Sequence, residues 1–115
     1  MKKNDYLEVG INIRETVPGR AVHPGELLRD VLKAQRFTQK HFAEITGIQP
    51  TQLNEVIKEK RGISADMALK IGDALNMEAF LWAKFQMSYD LDVARIKQKK
   101  EKESLKKSRK LNKVR

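Results

Sequence analysis

Between positions 49 and 55 the side chains of one short run suit hydrogen bonding to a flat molecular edge. Gln49, Thr51, Gln52, Asn54 and Glu55 crowd together there, with Pro50 among them and Lys40, Lys60 and Arg61 to either side. A Gln or Asn amide places a donor beside an acceptor and can pair bidentately with adenine, while a threonine methyl can meet the thymine methyl. Lysine and arginine reach phosphates, which sets register and affinity without reading sequence. Taken singly, each polar residue is as readily a solvated position on an amphipathic helix. Their concentration at one place shifts the balance towards base contact. Glu55 fits least well, since it would repel phosphate or pair with a lysine, and Lys58 reads as an ordinary solvated lysine.

Chemistry of other kinds has little to work with. The chain has two histidines, His23 and His41, and no cysteine, which excludes disulfides and thiolate metal sites. His23 and Glu26 have metal-compatible spacing, but no third ligand accompanies them. His23, beside Pro24, fits better as an entry to a helix, and His41 as a surface residue. No nucleophile–base set, phosphate loop or carboxylate pair stands out. The expectation is a protein that is not an enzyme and needs no metal or cofactor. Trp82 and Tyr89 could line a ligand box, yet their apolar neighbours favour core or dimer packing.

The reading run must be held by helices. Pro24 suits the first turn of one, with Glu26 at its positive dipole end and Leu27, Leu28, Val31 and Leu32 on its apolar face. Thr38 is a suitable N-cap for a second helix, which holds Phe42, Ala43 and Ile45 and which Gly47 can end. Inside a helix Pro50 would cost about 3 kcal/mol or more. At the first turn of a third helix its missing N–H costs little. Two short helices joined by such a turn form a helix-turn-helix. Ala43 lets the helices approach, Gly47 permits a positive φ, and Ile48, Leu53 and Val56 lock the second against the first. Ser64 caps a fourth helix with Met67, Ala68, Ile71, Ala74 and Leu75 on its apolar face, and Ile63 and Ala68 are placed as a staple. Asn76 can stop that helix. A fifth starts near Glu78 and is apolar nearly all round, with Phe80, Leu81, Trp82, Phe85, Met87 and Tyr89. That surplus points to a homodimer through Phe80, Trp82, Phe85 and Tyr89. Packing wholly into its own core is the simpler alternative.

With 115 residues and 40% apolar composition the chain can build one modest core. Three segments are expected: an N-terminal extension over 1–20, a helical domain over 21–94, and a basic tail over 95–115. Val9, Ile11 and Ile13 alternate with polar or small residues, a short strand signal, and Val17-Pro18-Gly19 reads as a turn. The formal net charge is +9, and all of it lies in the tail, where eleven Lys and Arg face two glutamates. Such a tail favours polyanions, or keeps the chain soluble. The apolar pattern fades from about Lys97, which suggests frayed helix or disorder. No 18-residue apolar run or secretory h-region is present, so no membrane association and a cytoplasmic location are expected.

Three ordered pieces carry a family resemblance. They are His23-Pro24-Gly25-Glu26-Leu27-Leu28, the run Lys60-Arg61-Gly62-Ile63-Ser64-Ala65-Asp66-Met67-Ala68-Leu69, and Trp82-x-x-x-Gln86-x-x-Tyr89-Asp90-Leu91. Together with the run from Thr38 to Leu75 they resemble the HigA (VapI-like) antitoxins, within the phage-repressor-like (XRE/Cro-type) helix-turn-helix proteins. The resemblance covers about residues 22–92. It implies an all-α, five-helix domain; the short strand-like N-terminal extension and the extended C-terminal helix or basic tail, residues 1–20 and 95–115, lie outside the resemblance. It also implies a homodimer that binds an inverted-repeat operator in double-stranded DNA, represses its own operon, and neutralises a ribosome-dependent, mRNA-cleaving toxin of the HigB/RelE-like kind. By the same resemblance Gln39 would reach a phosphate or position the complex. Two departures stand out. Pro50 and Thr51 occupy positions where relatives commonly carry arginine and asparagine, and Met77-Glu78-Ala79-Phe80 replaces a Glu-rich start of the last helix. The first bears on the usual base contacts and not on the fold.

Two further readings compete. One is a stand-alone repressor without a toxin; the other is a protein-interaction adaptor built on the same fold. Residues 7–14 could add as a strand to a toxin's sheet, or pair with their symmetry mate in the dimer.

Overall fold

The helices begin and end where local chemistry directs. In the computed structural model, which describes residues 17–113 and the side chains of 17–109, α1 (Pro24–Ala34) starts at His23, whose Nδ1 accepts the Gly25 N–H at 2.9 Å. Helix α2 (Gln39–Thr46) is capped by Thr38, whose hydroxyl accepts the His41 N–H at 3.1 Å. It closes on Gly47 at φ 73°, a left-handed conformation that glycine adopts without strain. Pro50 opens α3 (Pro50–Ile57) at its first turn. Ser64 caps α4 (Ala65–Leu75) through the Met67 N–H at 3.2 Å, and Asn76 ends it at φ 54°. Helix α5 runs over Ala79–Lys113.

Five helices without a strand make the described chain all-α. The strand signal over Val9–Ile13 and the partner strand over residues 7–14 lie outside the described residues. Gly19 and Arg20 form a bend, next to the turn expected at Val17-Pro18-Gly19. Helix α5 is the extended C-terminal helix expected, and it continues well past Lys97, where the fading apolar pattern had suggested fraying or disorder. Propensity explains this where an apolar face cannot. No Gly or Pro follows Gly72, and the segment is dominated by Lys, Glu, Arg, Gln and Leu, all good helix formers.

Residues Ala21–Leu91 pack as one unit. In it α1 packs on α3, and α2 packs on both α3 and α4. The core gathers Leu28, Leu32, Phe42, Leu53, Val56, Ile71 and Trp82, all nearly or fully enclosed. Each such side chain contributes about 1.5–3 kcal/mol by leaving water. Ala43 and Ile48 are buried with them, as a close helix-turn-helix requires. Ile45 is not. It lies about 110° round α2 from the mean direction of Phe42, Ala43 and Thr46, and it is exposed.

Trp82 requires a correction. It was expected on a dimer face, but it is 0% exposed and closes the core from α5. Its ring stands edge-on to Phe85 at 5.4 Å. An enclosed side chain has no surface to offer a second copy, so its apolar area is spent inside its own domain.

Candidate nucleic-acid interface

Helix α3 is built differently at its two ends. At the start, Gln49 occupies the cap position, yet its side chain makes no capping bond. Gln49, Pro50 and Thr51 are exposed and Gln52 is half-buried. Among the described residues no side-chain hydrogen bond engages Gln49, Thr51 or Gln52. Pro50 fixes φ at the first helical position without sacrificing a bond. The result is a rigid helix start carrying amide and hydroxyl groups with nothing intramolecular to satisfy them but solvent.

One turn further in, the polar residues are tied. The Gln39 Nε2 donates to the Asn54 Oδ1 at 3.1 Å, joining the first residue of α2 to α3. Asn54 keeps its own N–H groups for an outside acceptor, with its orientation set by Gln39. Glu55 accepts from the Arg61 Nε at 2.8 Å. The expected partner for Glu55 was a lysine; the arginine wins because the chain turns back after α3. Such a half-exposed pair adds at most about 1 kcal/mol. It engages one carboxylate oxygen of Glu55 and offsets its repulsion of phosphate. Arg61 keeps the remaining donors of its fork. Lys40 and Lys60 are exposed.

The far end of α3 is bound tightly to other elements. The chain leaves it through Glu59 at φ 63°, with Lys60 N–H donating to the Glu55 carbonyl at 2.8 Å and Glu59 N–H to that of Val56 at 2.9 Å. This is a Schellman-type closure. Arg29 on α1 reaches the Ile57 carbonyl at 2.7 Å and pairs with Glu59 at 3.6 Å. Gly25 sits so near the same helix that a Cβ there would fall well inside contact distance of the Val56 carbonyl oxygen. The following loop is held from α5. The Ile63 N–H donates to the Gln86 Oε1 at 2.7 Å, and the Gln86 Nε2 donates to the Asp90 Oδ1 at 3.0 Å.

These contacts give two of the sequence motifs a physical meaning. His23 caps α1, Pro24 starts it, and Gly25 lets it touch the end of α3. Trp82, Gln86, Tyr89 and Asp90 share one stretch of α5: a core plug, a loop anchor, a ring against His23 at 4.8 Å, and the anchor's own support. Because Gly25 N–H fills its Nδ1, His23 is a structural cap and not half of a metal pair. Burial pushes its pKa below the usual histidine value, and the nearby carboxylates of Glu59 and Asp90 oppose that only partly. Among the described residues no group of His, Asp and Glu is arranged to hold a metal ion.

Sequence reasoning left out Arg29 as a positioning residue and knew Gln86 and Asp90 only through resemblance. A glutamine on an otherwise apolar helix face, four residues from an aspartate, was the available signal for Gln86. Arg29 gave none, because its partner lies 28 residues away. Of the residues expected to pair two copies, Phe80 is 74% exposed, while Phe85 and Tyr89 are half-buried against their own domain. Met87 and Leu91 add exposed apolar surface to the same helix.

Known proteins share this helix-turn-helix fold. The helix-turn-helix family model HTH_3 matches residues 28–82. The chain is 37% identical over 75 residues to the virulence-associated protein I of Dichelobacter nodosus, covering 64% of this chain and 69% of that protein. The structure of Pseudomonas aeruginosa antitoxin HigA with the higBA promoter aligns with a TM-score of 0.68 at 34% identity, over 74% of this chain and 94% of that one. An addiction-module antidote protein of the HigA family from Coxiella burnetii aligns with a TM-score of 0.65 at 26% identity, over 74% and 94% of the two chains.

Proposed function

The chain belongs to the HigA (VapI-like) antitoxin family and carries its helix-turn-helix domain, and from that premise we propose that it is a sequence-specific DNA-binding antitoxin that represses its own operon. The observation that carries this reading is the exposed, uncapped start of α3 on a helix whose other end is fixed. That start enters the major groove. Gln49 and Gln52 present amides to base edges, and Thr51 offers a methyl to thymine. Asn54, steadied by Gln39, donates from its free N–H groups. Lys40, Lys60 and the outer N–H groups of Arg61 contact phosphates and set the register. Pro50 contributes no hydrogen bond. It stiffens the entry and leaves this protein a base pattern unlike that of relatives with arginine there.

One module buries too little surface for useful specificity. The protein therefore acts as a homodimer on an inverted repeat, with half-sites about 34–36 Å apart. Phe80, with Met87 and Leu91, supplies exposed apolar area for pairing. The partner to be neutralised is an mRNA-cleaving toxin encoded beside it, and the setting is the cytoplasm. Among the described residues no helix is long and apolar enough to cross a membrane, and the fold and family are those of DNA-binding regulators.

Binding-site selection on the full chain tests the base-reading assignment. Gln52→Ala should relax base preference, whereas Lys60→Ala should weaken all sequences alike. An unchanged selection with Gln52→Ala would overturn the assignment. Co-expression with the adjacent gene tests the antitoxin role: a stoichiometric complex and rescued growth support it, and their absence leaves a stand-alone repressor.

A further inference from the structure

Beyond its first three turns α5 changes character. Lys99, Lys102, Lys106 and Arg109 follow one another at intervals of three, four and three residues. At 3.6 residues per turn they fall within a sector of about 80° and extend over about 15 Å of helix. All four are exposed and none has an ion pair among the described residues. Arg95 continues the same row towards the domain, where it pairs with Asp92 at 3.2 Å. Glu103 borders the row on one side and Leu105 on the other. Lys97, Lys100, Lys107 and Glu101 lie on the opposite half of the helix.

This row is costly to the helix that bears it, since like charges three and four residues apart repel. A coiled-coil or membrane-surface role needs an apolar stripe. Between Lys97 and Arg109 the only large apolar residue is Leu105. A polyanion whose charges run along a line is the ligand that turns the repulsion into attraction. Duplex DNA is such a line, with one charge per about 1.7 Å of axis.

We infer that the Lys99–Arg109 row is a second DNA contact, sequence-independent, which grips backbone phosphates while α3 reads bases. The inference takes its partner from the DNA-binding reading above but not the base contacts. It requires only that the row meets phosphates one for one.

Two variants of equal charge test it. Lys99→Gln, Lys102→Gln and Lys106→Gln together remove three charges from the row. Lys97→Gln, Lys100→Gln and Lys107→Gln remove three from the opposite face. Glutamine keeps helix propensity close to that of lysine, and far-ultraviolet circular dichroism checks helix content. Binding of each full-length chain to a random-sequence duplex and to an equally long duplex from upstream of its own gene is titrated across salt concentrations. At about 0.9 per phosphate lost, the row variant should flatten the log–log salt slope by about 2.7 per chain on both duplexes. The opposite-face variant should flatten it by less than about 1. Equal slopes for the two variants would overturn the inference, by showing net charge alone at work. So would a row variant with an unchanged duplex slope that had lost binding to anionic vesicles or to single-stranded RNA. If the wild-type chain shows no preference for its upstream duplex while the row effect persists, the base-reading proposal fails and this one stands.

Discussion

The two ends of α3 divide the labour of one short helix. Its C-terminal end is held by Gly25 and Arg29 from α1, by a Schellman-type closure through Glu59, and by a loop that Gln86 anchors. Its N-terminal end has an unbonded cap side chain and exposed residues at positions 49–51. Uncapped starts cost stability, typically about 1 kcal/mol relative to a Ser, Thr or Asp cap. A helix that gives up that bond at one end, while being gripped at the other, is stable through its fixed end and available through its free one. Fixed and exposed ends are thereby separated by only two turns.

Substitutions at the two ends should therefore fall into different classes. The largest effect is expected at Gly25. Gly25→Ala drives a Cβ into the Val56 carbonyl, and backbone cannot yield as a flexible side chain would. A loss of about 3 kcal/mol or more in urea-denaturation stability should follow, with DNA binding lost through unfolding. A Gly25→Ala protein of wild-type stability would break the comparison. Next comes Gln86→Ala, which strands the Ile63 N–H and leaves Asp90 without its donor. We expect a loss of about 1–2 kcal/mol and weaker DNA binding without altered base preference, since the loop carrying Lys60 and Arg61 loosens.

A pH effect should come from His23. Its folded pKa lies below the unfolded value, so the unfolded chain binds the proton more readily. Stability is therefore full above the unfolded value, near 6.5, and falls as pH drops through that range towards the folded value. His23→Asn retains a capping side chain and should flatten this part of the stability–pH curve. A curve of unchanged steepness in the variant would assign the effect elsewhere. The smallest stability change is expected at the reading end. Gln49→Ala and Thr51→Ala should shift stability by no more than about 0.5 kcal/mol. Each should nevertheless cost about 1–3 kcal/mol of discrimination at the base it reads, measured by competition between operator variants.

The helix-turn-helix was legible because its signals are local. Thr38 and Ser64 each cap by reaching three residues ahead, Gly47 and Asn76 end helices through their own φ, and Pro50 marks a first turn. The same locality set the limit of the site reading. Four amide and hydroxyl residues within seven positions announced a polar helix start, but not which side chains were engaged. Gln39 meets Asn54 across 15 residues, and Arg61 takes Glu55 only because the chain reverses at Glu59. Trp82 misled for a related reason. An apolar helix face does not say whether its cover is the same chain or another, and here the chain's own core covers the indole. The distal helix misled in the other direction, because a fading apolar pattern signals the loss of packing and not of helix propensity.

The sequence by itself determined the number of helices, four of their starts, the place of Pro50 and the polar character of the helix start behind it. Each of these is decided within about one turn of chain, where hydrogen-bond geometry and backbone sterics act directly. Tertiary structure alone decided that α3 is fixed at one end and open at the other. That depends on the angle at which α1 and α5 pack, which brings Gly25 to Val56, Arg29 to Ile57 and Gln86 to Ile63. Contacts between residues more than 20 positions apart follow from how whole helices fill a shared core, and no local rule reaches that far.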